Sequence, residues 1–373
     1  MDAKIQFSYK KLKQNSQFSH FADKTNVLLT NRSANLTLFI CNFAPQKRTL
    51  IKKNEMIKFL KNWTMPIAML VGTFCYFIFA YIPFLAPLKP AINWLVSLLT
   101  PTLIFVMLFL TFCKVSPREL RPCRWHIWLI TFQVASCLAL ATILIFLSSS
   151  VNKVAFEAAM VCLICPTATA AAVITAKLGG NASSLTTYTI LSNIVTAIIV
   201  PIIFPMVEPH EGMGFWSSFW LILGKVFPLL IAPFIAAMFV RRFLPKLKER
   251  ITTCHDLAFY LWSIALAIVV GQTIRSIVHS QASISTLLCI GGASLATCII
   301  QFGFGKMIGG RYNDRISGGQ ALGQKNTVFA IWMAYTYLTP LSSLGPGSYV
   351  LWQNLFNSWQ LWRKRMKEEK TNK

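Results

Sequence analysis

Between residues 63 and 362 the chain alternates long apolar runs with short polar loops. Runs of about 18 or more apolar residues recur, long enough for a helix to cross the roughly 30 Å hydrocarbon core of a bilayer. The pattern predicts ten helices, near 63–82, 91–112, 127–149, 155–176, 183–205, 216–240, 256–274, 284–304, 317–338 and 348–362. Two of them are interrupted. In the fourth, Pro166 removes a backbone donor and crowds the preceding turn, which predicts a break or kink. In the ninth, Gly323 precedes four consecutive polar residues, Gln324, Lys325, Asn326 and Thr327. Such a run facing lipid is very costly, so the segment is expected to be buried in protein or to line a wet cavity.

Ten divides into two sets of five, and an odd number of crossings turns the second set upside down. Transporters built from such inverted repeats place their substrate at the midplane, where one broken helix from each half meets the other. The fourth and ninth segments correspond in this scheme, and their interruptions fall at matching depth. The expected fold is therefore an all-α polytopic membrane protein of two inverted five-helix repeats, with the broken helices crossing.

Composition agrees with that class and excludes others. Of 373 residues, 55% are hydrophobic and only 13% charged, against about 25% charged in soluble domains. The formal charge of +24 does not point to nucleic acid, because the basic residues gather in alternate loops. One set of loops holds Lys114, Arg118, Arg121, Arg124, Lys177, Arg241, Arg242, Lys246, Lys248, Arg250, Lys306, Arg311 and Arg315, and residues 363–373 add a basic tail. The opposite set holds only Lys89, Lys153 and Arg275. The excess marks the cytoplasmic side, so both termini are expected in the cytoplasm, with the protein multi-pass in the cell (inner) membrane. Residues 1–55 are polar, Lys-rich and without a signal-peptide apolar core. They are expected to be disordered and dispensable ahead of a transporter domain at 56–362.

The chemistry concentrates on Lys325. A cation at that depth costs on the order of 2.5–3.5 kcal/mol by insertion scales and marks a transport pathway or a partner. No other spanning run carries an acidic residue near its centre to pair with it. Thr167 and Thr169 beside Pro166, Gln133 in the third run, and Thr189 and Asn193 in the fifth add polar groups at similar depth. Gln133, Thr189 and Asn193 also have a plainer reading as interhelical glue, and Thr167 and Thr169 as partners for carbonyls freed at the kink. Cys162 and Cys165 form a CxxC without a second pair or a nearby histidine, so no metal site is expected. The five histidines lie in tails, loops or run ends, and no paired carboxylates sit at membrane depth; the chain does not read as an enzyme.

At these residues the sequence resembles the bile acid:sodium symporter family. "CPTATAAAV" followed by "GGN" (Cys165–Asn181) is similar to the family's CPGGTASN and GN in the fourth helix. "ALGQKNT" (Ala321–Thr327) is similar to E-x-G-M-Q-N-S in the ninth, and "GPGSYVLWQNLFNSW" resembles PGALFSVWHN in the last. The resemblance implies a core of helices 3–5 and 8–10, a panel of helices 1, 2, 6 and 7, and an organic anion held between them. It also implies two sodium sites beside the crossing, but their ligands are mostly missing. The fourth-helix Ser-Asn pair falls on Ala171 and Ala172, a fifth-helix serine on Leu185, the shared glutamate on Ala321 and the second-site glutamine on Lys325. Gln133 and Thr189 are kept. Shifting the register by one residue would put Gln320 at the glutamate position, without supplying a carboxylate.

Sodium needs several oxygen ligands, and three alanine methyls offer none. The expectation is a secondary transporter for a small organic anion with no bound sodium or other cofactor. Lys325 stands in the ion's place as a fixed charge or a proton carrier, touching Gln133 and the carbonyls or threonines of the fourth helix. The alternatives are a sodium-coupled symporter with relocated ligands and, in another class, a channel or sensory module.

Overall fold

The computed structural model describes residues 66–116, 120–146, 151–209, 212–253, 257–280 and 282–371. Residues 1–55, expected to be disordered, lie outside the described residues. The helices are α1 (Pro66–Tyr81), α2 (Lys89–Lys114), α3 (Arg124–Phe146), α4 (Val151–Ile164), α5 (Ala171–Leu178), α6 (Ala182–Val207) and α7 (Phe215–Phe243). There follow α8 (Pro245–Thr253), α9 (Leu257–His279), α10 (Ile284–Arg311), α11 (Arg315–Gly323), α12 (Thr327–Tyr337) and α13 (Leu344–Thr371).

Six of these stretches are long and apolar enough to cross a membrane singly: Pro83–Lys114, Arg124–Phe146, Ala182–Val207, Phe215–Phe243, Tyr260–His279 and Ile284–Arg311. Much of their surface faces outward. Phe84, Trp94, Trp216 and Ile284 are exposed, an arrangement that requires an apolar surrounding. The chain is an integral, multi-pass membrane protein.

The other predicted runs differ from single spans for physical reasons. The fourth is split into α4 and α5 around Pro166, and the ninth into α11 and α12 around Gln324–Asn326. The tenth, α13, runs on to Thr371, where the sequence predicts only a basic tail. Lys364 pairs with Glu368 one turn on at 3.5 Å, the guanidinium of Arg363 lies over Trp359, and Lys364 Nζ donates to the Lys177 carbonyl at 2.9 Å. These contacts carry the helix past the last apolar turn.

The helices pack around a common apolar core, α6 against α7 among them. α2 packs on α7 and α9, while α10 packs on α4, α11 and α13, and α3 on α4 and α6. One close approach is between α10 and α11. A Cβ on Gly305 would collide with the Gly318 carbonyl, and one on Gly309 with Asp314 O at 2.5 Å. Gly305 and Gly309 stand four residues apart on one helix face, so the two backbones touch as small-residue motifs allow in membranes. Gly305→Leu is expected to cost about 3 kcal/mol or more, read as loss of a monodisperse peak in detergent. Gly303→Leu, with open space around its Cβ position, should leave that peak intact.

Candidate functional site

Both broken segments are buried where their helices stop, and the two gaps lie against each other. Thr167 and Lys325 form an isolated antiparallel bridge. Ala168 N donates to Gln324 O and Asn326 N to Pro166 O, each at 2.9 Å. The Thr167 hydroxyl donates to the Ala321 carbonyl. Residues Val161–Thr167 and Ser317–Lys325 are buried throughout, so the irregular backbone sits inside protein, as it must at this depth.

The end of α4 leaves carbonyls without helical partners, and side chains from four other segments meet them. Gln301 Nε2 of α10 donates to Cys162 O at 3.2 Å. Lys325 Nζ donates to Leu163 O at 3.1 Å. Gln133 Nε2 of α3 donates to Ile164 O at 2.8 Å and to Cys165 O at 3.3 Å. Thr196 Oγ1 of α6 also donates to Ile164 O at 2.8 Å. A helix C-terminus carries partial negative charge, so an ammonium placed there is favoured. Lys325 is 1% exposed, and a hydrogen bond from a charged donor contributes about 1.5–3 kcal/mol toward its burial.

The expected contact between Lys325 and Gln133 is not made. The two side chains instead bind successive carbonyls of one helix end. Gln133 is already saturated, because its Oε1 accepts from Tyr188 at 3.2 Å and from Ser192 at 3.3 Å. The backbone of Lys325 is held from the other side: its N–H donates to Gln353 Oε1 at 2.8 Å, and Gln353 Nε2 donates to its carbonyl at 3.4 Å. Tyr349 donates to Gly323 O at 2.8 Å. Gln353 and Tyr349 both belong to α13.

The remaining sequence-selected residues divide between structure and open chemistry. Asn326 caps α12, its Oδ1 accepting from Phe329 N at 3.4 Å, and Thr327 opens that helix. Thr189 donates to Leu185 O on its own helix at 3.0 Å, and Gln320 Nε2 donates to Asn357 Oδ1 of α13 at 2.8 Å. Asn181 of the GGN turn caps α6 by accepting from Ser184 N at 3.0 Å and takes its own N–H to Ser317 Oγ at 2.9 Å. Asn193, 1% exposed, has neither amide atom hydrogen-bonded, and Gln324 Oε1 is likewise buried without a partner. Thr169 is half-buried at the gap.

Four of the positions to which the resemblance assigns sodium ligands are apolar. Ala171, Leu185 and Ala321 belong to one apolar cluster with Trp125, Leu129, Tyr188 and Leu322, and Ala172 packs against it. Ala171, Leu185 and Ala321 are wholly buried. No group of three or more metal-ligating side chains occurs among the described residues. A separate cleft of about 430 Å³ between α6 and α7, lined by Ile198, Ile202, Phe219, Trp220, Leu223 and Phe227, is apolar and shares no residue with the crossing.

Sequence reasoning missed Gln301, Gln353, Tyr188, Ser192 and Thr196. Gln301 gave a signal, as a single amide inside the apolar run of α10, and Gln353 lies within the GPGSYVLWQNLFNSW segment.

Two broken helices crossing inside a bundle of apolar spans define the class, a membrane transporter. Residues 101–280, just under half of the chain, match the Sodium Bile acid symporter family. The match includes α3–α6 and ends before α11, so the lysine segment lies beyond it. No curated protein matches the chain.

Proposed function

We propose that the chain is a secondary transporter of a small organic anion that works by alternating access without sodium, Lys325 holding the charge that a bound cation supplies in sodium-coupled relatives. The observation that carries this reading is the apolar cluster of Ala171, Leu185 and Ala321, with Ala172 against it. An ion stripped of water there would meet methyl groups, while the Lys325 ammonium already sits on the nearby Leu163 carbonyl. A fixed cation gives the crossing a permanent positive charge, to which an anion is drawn without first loading an ion.

In this reading the ten apolar runs all cross the bilayer in two inverted halves, with both termini in the cytoplasm as the basic loops indicate. α3–α6 and α10–α13 form the core, and α1, α2, α7 and α9 the panel that moves against it. No resident sodium or cofactor takes part, and the Cys165 thiol only ties the two gaps together, donating to Asn326 O at 3.0 Å.

A second reading, a sodium symporter with relocated ligands, draws on the unpartnered amide oxygens of Asn193 and Gln324. The two separate in one experiment. The melting temperature of the purified chain, and of its complex with an organic anion found by thermal-shift screening, is expected to be the same in sodium and potassium chloride. A sodium-specific rise in either would establish the symporter reading and end the proposal.

A further inference from the structure

The same half-helix that receives Lys325 at its C-terminal end carries a second ionisable group nearer its start. Glu157 of α4 is 0% exposed and is the only buried carboxyl group among the described residues. Neither of its oxygens makes a hydrogen bond of good geometry, although Thr339 stands beside it. Ser342, in the 3-10 turn Pro340–Ser343 packed on α4, has a hydroxyl that is also buried and unpartnered. Lys153, one turn before Glu157, is 3.9 Å from its Oε1 but only 2.7 Å from Oε2 of Glu208 at the end of α6. Lys153 and Glu208 are the charged groups that act on Glu157. The helices packed on α4 from its other sides, α3, α10, α12 and α13, bring no further charge to it.

An ionised carboxylate buried with no better hydrogen-bond partner than Thr339 is strongly unfavourable, so something neutralises it. Lys153 does not, because it is drawn to Glu208. A metal cation is disfavoured by the ammonium already 3.9 Å away. We propose that Glu157 is a proton-binding site, reached through Lys153 and Glu208, whose occupancy decides which carboxylate Lys153 pairs with. Side-chain exposure grades along that route from 36% at Glu208 through 24% at Lys153 to 0% at Glu157. With the proton on a Glu157 oxygen, Lys153 binds Glu208, as seen. When the O–H bond breaks and the proton leaves to water along this route, Lys153 swings to the bare carboxylate and the Glu208 pair opens. As the seat of a coupling proton, the site rests on the transporter reading above; as a proton site it does not.

Infrared spectroscopy of the full chain in lipid nanodiscs tests it. A protonated-carboxyl C=O band is expected at neutral pH, lost as pH rises, and absent from a folded Glu157→Gln variant. No band in the unmodified chain, or a band that survives in Glu157→Gln, overturns the proposal. Glu208→Gln supplies the second measurement, and decides the matter if Glu157→Gln does not fold. It releases Lys153 to Glu157, so the band should vanish at a pH lower by about one unit or more; an unshifted midpoint overturns the switch. Failure of the transporter reading would show separately, as no organic anion stabilising the chain, with the band unaffected.

Discussion

Lys325→Met is expected to abolish anion binding and transport while leaving the protein as stable as before or more so. The substitution keeps the length of the side chain but removes a buried charge with a single hydrogen bond, to Leu163 O. Losing that bond strands one carbonyl, a cost of about 1–3 kcal/mol. Replacing buried ionic groups by apolar ones of similar volume is commonly neutral or stabilising by about 1–4 kcal/mol. The two effects nearly cancel, so the melting temperature should hold or rise. Stabilisation by the anion that protects the unmodified chain should disappear, with transport down at least a hundredfold. Lys325→Ala should be equally inactive but less stable, since it also empties the volume of one of the largest fully buried side chains. If Lys325→Met retained transport, the charge would have no role in recognition.

The second large effect is a gain. Ala321→Glu places a carboxylate in the apolar cluster beside Leu185 and Ala171, and Lys325→Gln restores an amide where the family carries one. In sodium-free buffer the double variant should be strongly destabilised, because the new carboxylate is buried without water. Sodium should restore it: at a hundred times its dissociation constant a bound ion contributes about 2.7 kcal/mol, visible as a sodium-specific rise in melting temperature that potassium does not reproduce. An equal response to both salts would mean that the cluster cannot be turned back into a sodium site, and that the missing ligands do not explain the proposed independence. The order of the substitutions matters. Ala321→Glu with Lys325 retained supplies the carboxylate with a nearby ammonium instead of an ion, so its stability should not respond to sodium.

Much of this site is legible in the amino-acid sequence. Pro166 and the Gly323–Thr327 run are local offences against helix geometry and membrane burial, and such offences show in the residues themselves. The depth of Lys325 is legible for the same reason. What Lys325 touches is legible in part: the sequence points to a fourth-helix carbonyl, and Leu163 O is one, but which carbonyl it is carries no mark of residue type. The expectation that Gln133 would be its partner fails because Gln133 has better-placed acceptors one and two residues on, at Ile164 and Cys165, and donors of its own in Tyr188 and Ser192. Glu157 is inconspicuous in the sequence because a charge near the start of a run reads as an interfacial residue. Only the packing of α4 against the 3-10 turn at Pro340–Ser343 reveals that it is sealed. The continuation of α13 to Thr371 draws on the contact of Lys364 with the Lys177 carbonyl, which is set by the tertiary fold.

The satisfied end of α4 also sets an order of assembly. Its carbonyls take partners from Gln133, which precedes it, and from Thr196, which follows soon after. Its other two side-chain partners are Gln301 and Lys325, more than a hundred residues downstream. During synthesis the first five helices therefore enter the bilayer with a polar wound that only the last third of the chain can close. A chain cut after α9 should leave that wound open, and cellular quality control should find and degrade it. The crossing would thus act, during biogenesis, as the signal that the chain is whole.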